Sequence, residues 1–88
     1  MPEASLTIVN PLGIHARAAS KFVKLAKSFD SDVRLSRGDT AADGKSIMSV
    51  MLLAAPAGSE VRLSVCGRDE EIAFAALRQL IDEGFGEL

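Results

Sequence analysis

The chain has 88 residues, enough for one domain (residues 1–88) whose core needs no metal or disulfide staple. Its 48% hydrophobic and 25% charged residues suit a soluble globular protein, and no apolar run approaches the roughly 20 residues of a membrane span. A net charge of −2 argues against a general nucleic-acid binder, and one cysteine, Cys66, with no visible export signal points to a reducing cytoplasm.

Ser5 to Val9 is predicted as a strand, with Leu6 and Ile8 on one face and Ser5 and Thr7 on the other. Asn10-Pro11-Leu12-Gly13 follows as a turn punctuated by Pro and Gly. From Ala16 to Ser28, Ala19, Phe22, Val23 and Ala26 recur at helical spacing, leaving Arg17, Lys21, Lys24 and Lys27 on another face. Val33 and Leu35 alternate with Arg34 and Ser36 in a second strand, Arg37-Gly38-Asp39 turns, and Thr40 to Asp43 forms a short third strand.

Ser46 to Leu53 is predicted as a short helix with Ser46 as its N-cap, closed by Ala55-Pro56-Ala57-Gly58. Val61, Leu63 and Val65 alternate with Arg62, Ser64 and Cys66 as a fourth strand. The last helix, Asp69 to Glu83, has Asp69 as a candidate cap, Glu70 and Glu71 at its positive end, and Gly84 at its C-terminus. Ala73, Leu77, Leu80 and Ile81 give it a core face. The order β-α-β-β-α-β-α, with strands that alternate apolar and polar, implies an antiparallel sheet covered on one face only. The expected fold class is α+β, a two-layer sandwich of four antiparallel strands and three helices.

The charges are unevenly placed. His15 to Lys27 carries Arg17, Lys21, Lys24 and Lys27 with no acid, whereas Asp69 to Leu88 carries six acids against Arg78. The only histidine, His15, lies in the basic segment where a turn becomes a helix. A lone histidine at such a place is ordinarily a cap or an exposed residue, and a basic helix face is ordinarily a solvated one. Here the only histidine, a helix start, an arginine and a face of one sign coincide. Imidazole is a nucleophile near neutral pH. The first-turn amides near Ala16 and Arg17 can hydrogen-bond phosphate oxygens, the helix dipole favours added negative charge, and Arg17 adds a charge-assisted contact. This arrangement points to a phosphoryl carrier.

The runs Leu12-Gly13-Ile14-His15-Ala16-Arg17, Asp43-Gly44-Lys45-Ser46-Ile47-Met48-Ser49-Val50-Met51 and Gly67-Arg68-Asp69-Glu70-Glu71 resemble HPr. HPr proteins are the histidine phosphocarriers of the bacterial phosphoenolpyruvate-dependent sugar phosphotransferase system. The resemblance spans nearly the whole chain and implies the open-faced β-sandwich. It further implies that His15 takes phosphate on Nδ1 from a phosphohistidine of Enzyme I and passes it to an Enzyme IIA, with Arg17 steadying the phosphate. One departure is Ala18, where many members have proline; proline suits a first helical turn without being required there.

By the same resemblance, Ser46 matches a serine that a dedicated HPr kinase/phosphorylase modifies in many members; from residue chemistry alone it is simply an N-cap. Ile47, Met48 and Met51 sit on a helix too short to bury every apolar side chain, so some of them are expected to stay exposed as a docking patch rimmed by Arg17, Lys21, Lys24 and Lys27; the alternative is core packing, expected for part of the set, notably Val50 and Leu53. The expected partners are the Enzyme I and Enzyme IIA proteins, met by a monomer without nucleic acid or membrane insertion. Neither cofactor nor metal is expected: the chain shows no metal-ligand cluster, nucleophile–base pair or nucleotide-binding glycine loop, and it does not read as a turnover enzyme. Two alternatives stay open: a carrier of the nitrogen-related branch with regulatory partners, and a small α+β binding module without phosphotransfer.

Overall fold

The computed structural model describes residues 1–87. Strand β1 (Glu3–Thr7) leads through the Val9–His15 loop into helix α1 (Ala16–Lys27), then strands β2 (Asp32–Arg37) and β3 (Thr40–Asp43) form a hairpin. Helix α2 (Ile47–Met51), strand β4 (Glu60–Cys66) and helix α3 (Glu70–Asp82) follow, and a left-handed turn at Gly84–Gly86 leads to Glu87, the last described residue. The four strands make one antiparallel sheet in the order β1-β4-β2-β3. The open-faced α+β sandwich expected from the strand patterns is therefore the fold observed.

Register explains the one-sided sheet. Leu6 pairs with Val61, Leu63 with Leu35, Val65 with Val33, and Leu35 with Ala42. All of these point to the same side and are buried, together with Phe22, Val23, Ala26, Leu77 and Ile81 from the helices. The opposite side carries Ser5, Thr7, Arg34, Arg62 and Cys66, which are exposed because the pleat alternates. Helix α3 packs on β1 and β4, α2 on β3, and α1 against both α2 and α3. No helix among the described residues is long and apolar enough to cross a membrane.

Two local expectations are corrected. The first strand lies two residues earlier than its hydrophobic alternation suggests: Glu3–Thr7 pairs with Glu60–Ser64, while Ile8 bonds instead to the 58–59 loop and Val9 faces water. Asp69 occupies the N-cap position of α3 but makes no side-chain cap bond. Its carboxylate reaches across to accept from the amides of Asp30 and Ser31, both at 2.9 Å, and from the Ser31 hydroxyl at 2.5 Å. Glu70 takes the start of the helix instead, accepting from the Gly67 amide at 3.0 Å.

The Ser31 hydroxyl, followed by the Asp30 amide, holds the Asp69 carboxyl below the ordinary carboxylate range. A depressed carboxylate contributes stability that is complete above its unfolded value, about 3.9, and is lost as pH falls through its folded value. Asp69→Asn is expected to lower the melting temperature by several degrees at neutral pH. That deficit should shrink steadily as thermal melts are taken below about pH 4, where the wild type loses the same stabilisation.

Candidate functional site

The site is built by the turn ahead of α1. Asn10 is fully buried and closes the turn twice: its carbonyl accepts from the Gly13 amide at 3.0 Å and its Nδ2 donates to the Gly13 carbonyl at 2.7 Å. Gly13 adopts a φ of 67°, a left-handed conformation that glycine takes without a Cβ penalty. Ile14 is buried, and its amide donates to the Ala55 carbonyl at 2.9 Å, fastening this turn to the loop after α2.

His15 is then the N-cap residue of α1, in an extended conformation, with its carbonyl accepting from the Ala19 amide at 2.8 Å. Its ring makes no cap bond and is 28% exposed. Helix geometry leaves the amides of Ala16, Arg17 and Ala18 without intrahelical acceptors at this end, beside the ring. Ala16 and Arg17 are exposed, and the first turn of the helix carries no acid of its own against the positive end of the dipole. His15, Ala16 and Arg17 thus come together as the sequence implies. Lys24 and Lys27 lie exposed in the last turn, whose negative dipole end they complement.

The C-terminal segment changes the picture of separate basic and acidic ends. Glu87, counted above with the acidic segment, comes back to the site: its Oε2 meets His15 Nε2, and its Oε1 accepts from Asn10 Nδ2 at 2.9 Å. Its side chain is 18% exposed. The Asn10 hydrogen bond, with His15 and Lys21 nearby, outweighs partial burial and holds the Glu87 carboxyl below the usual carboxylate range. Lys21, expected on the basic rim, is exposed but donates its ammonium to the Phe85 carbonyl at 2.8 Å. Phe85 is itself buried in the core.

Ser46 is the N-cap of α2, accepting from the Ser49 amide at 3.3 Å, and is half-buried. Ile47, Met48 and Met51 are exposed, Met48 at 71%, while Val50 and Leu53 enter the core. Leu12 and Leu52 are exposed as fully as Met48, at 74% and 71%, although periodicity did not mark them. Asn10, Phe85 and Glu87 also escaped sequence reasoning. A glycine-flanked aromatic at 84–86 was the one signal that the C-terminal segment folds back.

Comparison with known proteins agrees with this geometry. A family model described as the PTS HPr component phosphorylation site matches residues 2–83. The chain is 49% identical over 87 residues to the phosphocarrier protein HPr of Cupriavidus necator, covering 99% of this chain and 98% of that protein. It is 47% identical over 88 residues to the HPr of Pseudomonas aeruginosa, at the same coverages of 99% and 98%. The crystal structure of HPr-C-His from Thermoanaerobacter tengcongensis matches with a TM-score of 0.95 and 41% identity, covering 100% of this chain and 99% of that one. An HPr structure from Bacillus anthracis matches with a TM-score of 0.86 and 30% identity, over 91% of this chain and 95% of that one. Matched over nearly its whole length in sequence and in fold, the chain belongs to the HPr family, the phosphocarriers of the phosphotransferase system.

Proposed function

We propose that His15 carries the phosphoryl group, taking it from a phosphohistidine of Enzyme I and handing it to an Enzyme IIA of the sugar branch. The observation that carries this reading is the placement of a partly exposed imidazole at the N-cap of α1, beside the first-turn amides and Arg17. The imidazole supplies the nucleophile. The Ala16 amide and its neighbours receive the phosphate oxygens, and the Arg17 guanidinium neutralises charge as the group arrives. The whole chain, residues 1–88, serves as one monomeric domain in the cytoplasm.

Partners dock on the apolar surface of Ile47, Met48 and Met51, with Lys21, Lys24 and Lys27 steering acidic surfaces toward it. A modest, charge-steered interface suits a shuttle that must release quickly. Ser46 is the proposed regulatory position. A phosphate there would add about two negative charges next to the docking patch and repel acidic partners. HPr kinase/phosphorylase is the matching modifying partner.

Incubation with labelled phosphoenolpyruvate and purified Enzyme I tests the reading. The expected result is stoichiometric, acid-labile, alkali-stable label on the His15 peptide that chases into a sugar-branch Enzyme IIA. Loading only by the Enzyme I of the nitrogen branch would move the protein to that branch, and no loading by either would remove the carrier reading. Arg17→Ala is expected to slow phosphoryl uptake roughly tenfold to a hundredfold with the melting temperature unchanged, because an exposed donor to the moving charge is lost. Arg17→Lys should recover only part of the rate, since an ammonium lacks the forked donor geometry. Initial-rate measurements on the three proteins check both expectations.

A further inference from the structure

We propose that Glu87, braced by Asn10, is a positioning residue that holds His15 as the tautomer protonated on Nε2, leaving Nδ1 to take the phosphate. This rests on the carrier reading above. An ionised carboxylate only accepts hydrogen bonds, so the ring nitrogen that meets Glu87 Oε2 must be the donor. In a neutral imidazole the other nitrogen then holds the lone pair. The Asn10 hydrogen bond favours the ionised form of that carboxyl, holding it below the usual carboxylate range.

The carboxylate is held from two directions. Its Oε1 accepts from Asn10 Nδ2, and the same amide nitrogen serves the Gly13 carbonyl. Asn10 is fully buried, and its Oδ1 has no hydrogen-bond partner among the described residues. The amide is thus committed to its two acceptors at the expense of its own oxygen. From the other side, Gly84, Phe85 and Gly86 have φ values of 63°, 56° and 78°, a left-handed hook that turns the chain back over α1. Phe85 is an uncommon residue for that region, and it is kept there by burial of its ring and by the Lys21 ammonium on its carbonyl.

The chemistry follows from the tautomer. The Nδ1 lone pair forms a bond to phosphorus while the donor's own N–P bond breaks and its electron pair returns to the donor nitrogen. The Nε2 proton stays on the ring, which gains positive charge opposite the Glu87 carboxylate. When the group moves on, the N–P pair returns to Nδ1 and a neutral imidazole leaves. Carboxylate and phosphate address opposite nitrogens of the ring, so both are accommodated together.

Glu87→Ala tests the proposal, read by NMR of the ¹⁵N-labelled protein and by the initial rate of loading from phosphoenolpyruvate and Enzyme I. In the wild type, a slowly exchanging, low-field Nε2–H proton is expected on His15. In Glu87→Ala that proton should be lost to exchange, the Nδ1–H tautomer should gain population, and loading should slow roughly tenfold through kcat rather than KM. An unchanged Nε2–H signal or an unchanged loading rate overturns the role of Glu87 while leaving His15 as the carrier. Absence of His15-dependent label in the wild type overturns the carrier reading and this proposal with it.

Discussion

Replacing His15 by alanine is expected to abolish phosphoryl acceptance while leaving the protein folded. The loss should be roughly a thousandfold or more in loading rate, because no other group in the site can take the role of the nucleophile. Arg17 is always protonated, backbone amides are donors only, and the Glu87 carboxylate is engaged by Asn10. The fold should tolerate the change for equally local reasons. The ring is 28% exposed, makes no cap bond to α1, and has the Glu87 carboxylate as its side-chain hydrogen-bond partner among the described residues. Glu87 retains its Asn10 bond in the variant, and the buried turn of Asn10, Gly13 and Ile14 is untouched. The check is a paired measurement: label incorporation with Enzyme I, and a thermal melt by circular dichroism. Equal incorporation by the variant would place the phosphate elsewhere. A lost label accompanied by a lost melting transition would reduce His15 to a structural residue.

The parts of this site that could be read from the chain are those made by neighbours in sequence. His15, Ala16 and Arg17 share one helix start, so turn punctuation and helical spacing were enough to bring them together. The same holds for the fold: alternation in Glu60–Cys66 and the stripe of Ala19, Phe22, Val23 and Ala26 identify faces whose burial the coordinates bear out. Strand ends were less legible, because β1 begins and stops where β4 offers it partners and Ile8 is claimed by a loop. The Asn10–Glu87–His15 arrangement was not legible at all. Its members come from a turn, a helix start and a C-terminal hook, and a separation of 72 residues between His15 and Glu87 leaves no periodicity to follow. Glu87 belongs by sequence to the acidic C-terminal segment, and a charge count by segment carries no sign that its carboxylate folds back onto the histidine. Asp69 shows the same limit: its residue type suits a cap, but tertiary contact with Ser31 and the Asp30 amide claims its oxygens.

Gly13→Ala should be the most damaging single-methyl change in the molecule's site, costing about 2–5 kcal/mol. Two penalties combine. The native φ of 67° imposes about 1–2 kcal/mol on any residue with a Cβ. The new methyl would also lie 2.4 Å from the Ala55 carbonyl oxygen and 2.9 Å from Pro56 Cα, both backbone atoms that cannot rotate away. Relieving such an overlap by moving backbone costs about 1–3 kcal/mol more. Relief has a functional consequence, because the Ala55 carbonyl that must move is the one accepting from the Ile14 amide. Displacing it loosens Ile14, and with it the register of His15 against the first-turn amides and Glu87. The expected result is a melting temperature lower by roughly 10–25 °C and a loading rate reduced even at temperatures where the variant is folded. Gly38→Ala supplies the control, since that glycine has a φ of 58° but nothing within 4 Å of an added Cβ. It isolates the conformational penalty, and the excess at Gly13 measures the contact with the 55–56 loop. Melting shifts of equal size in the two variants would mean that this loop yields freely and does not anchor the turn that presents His15.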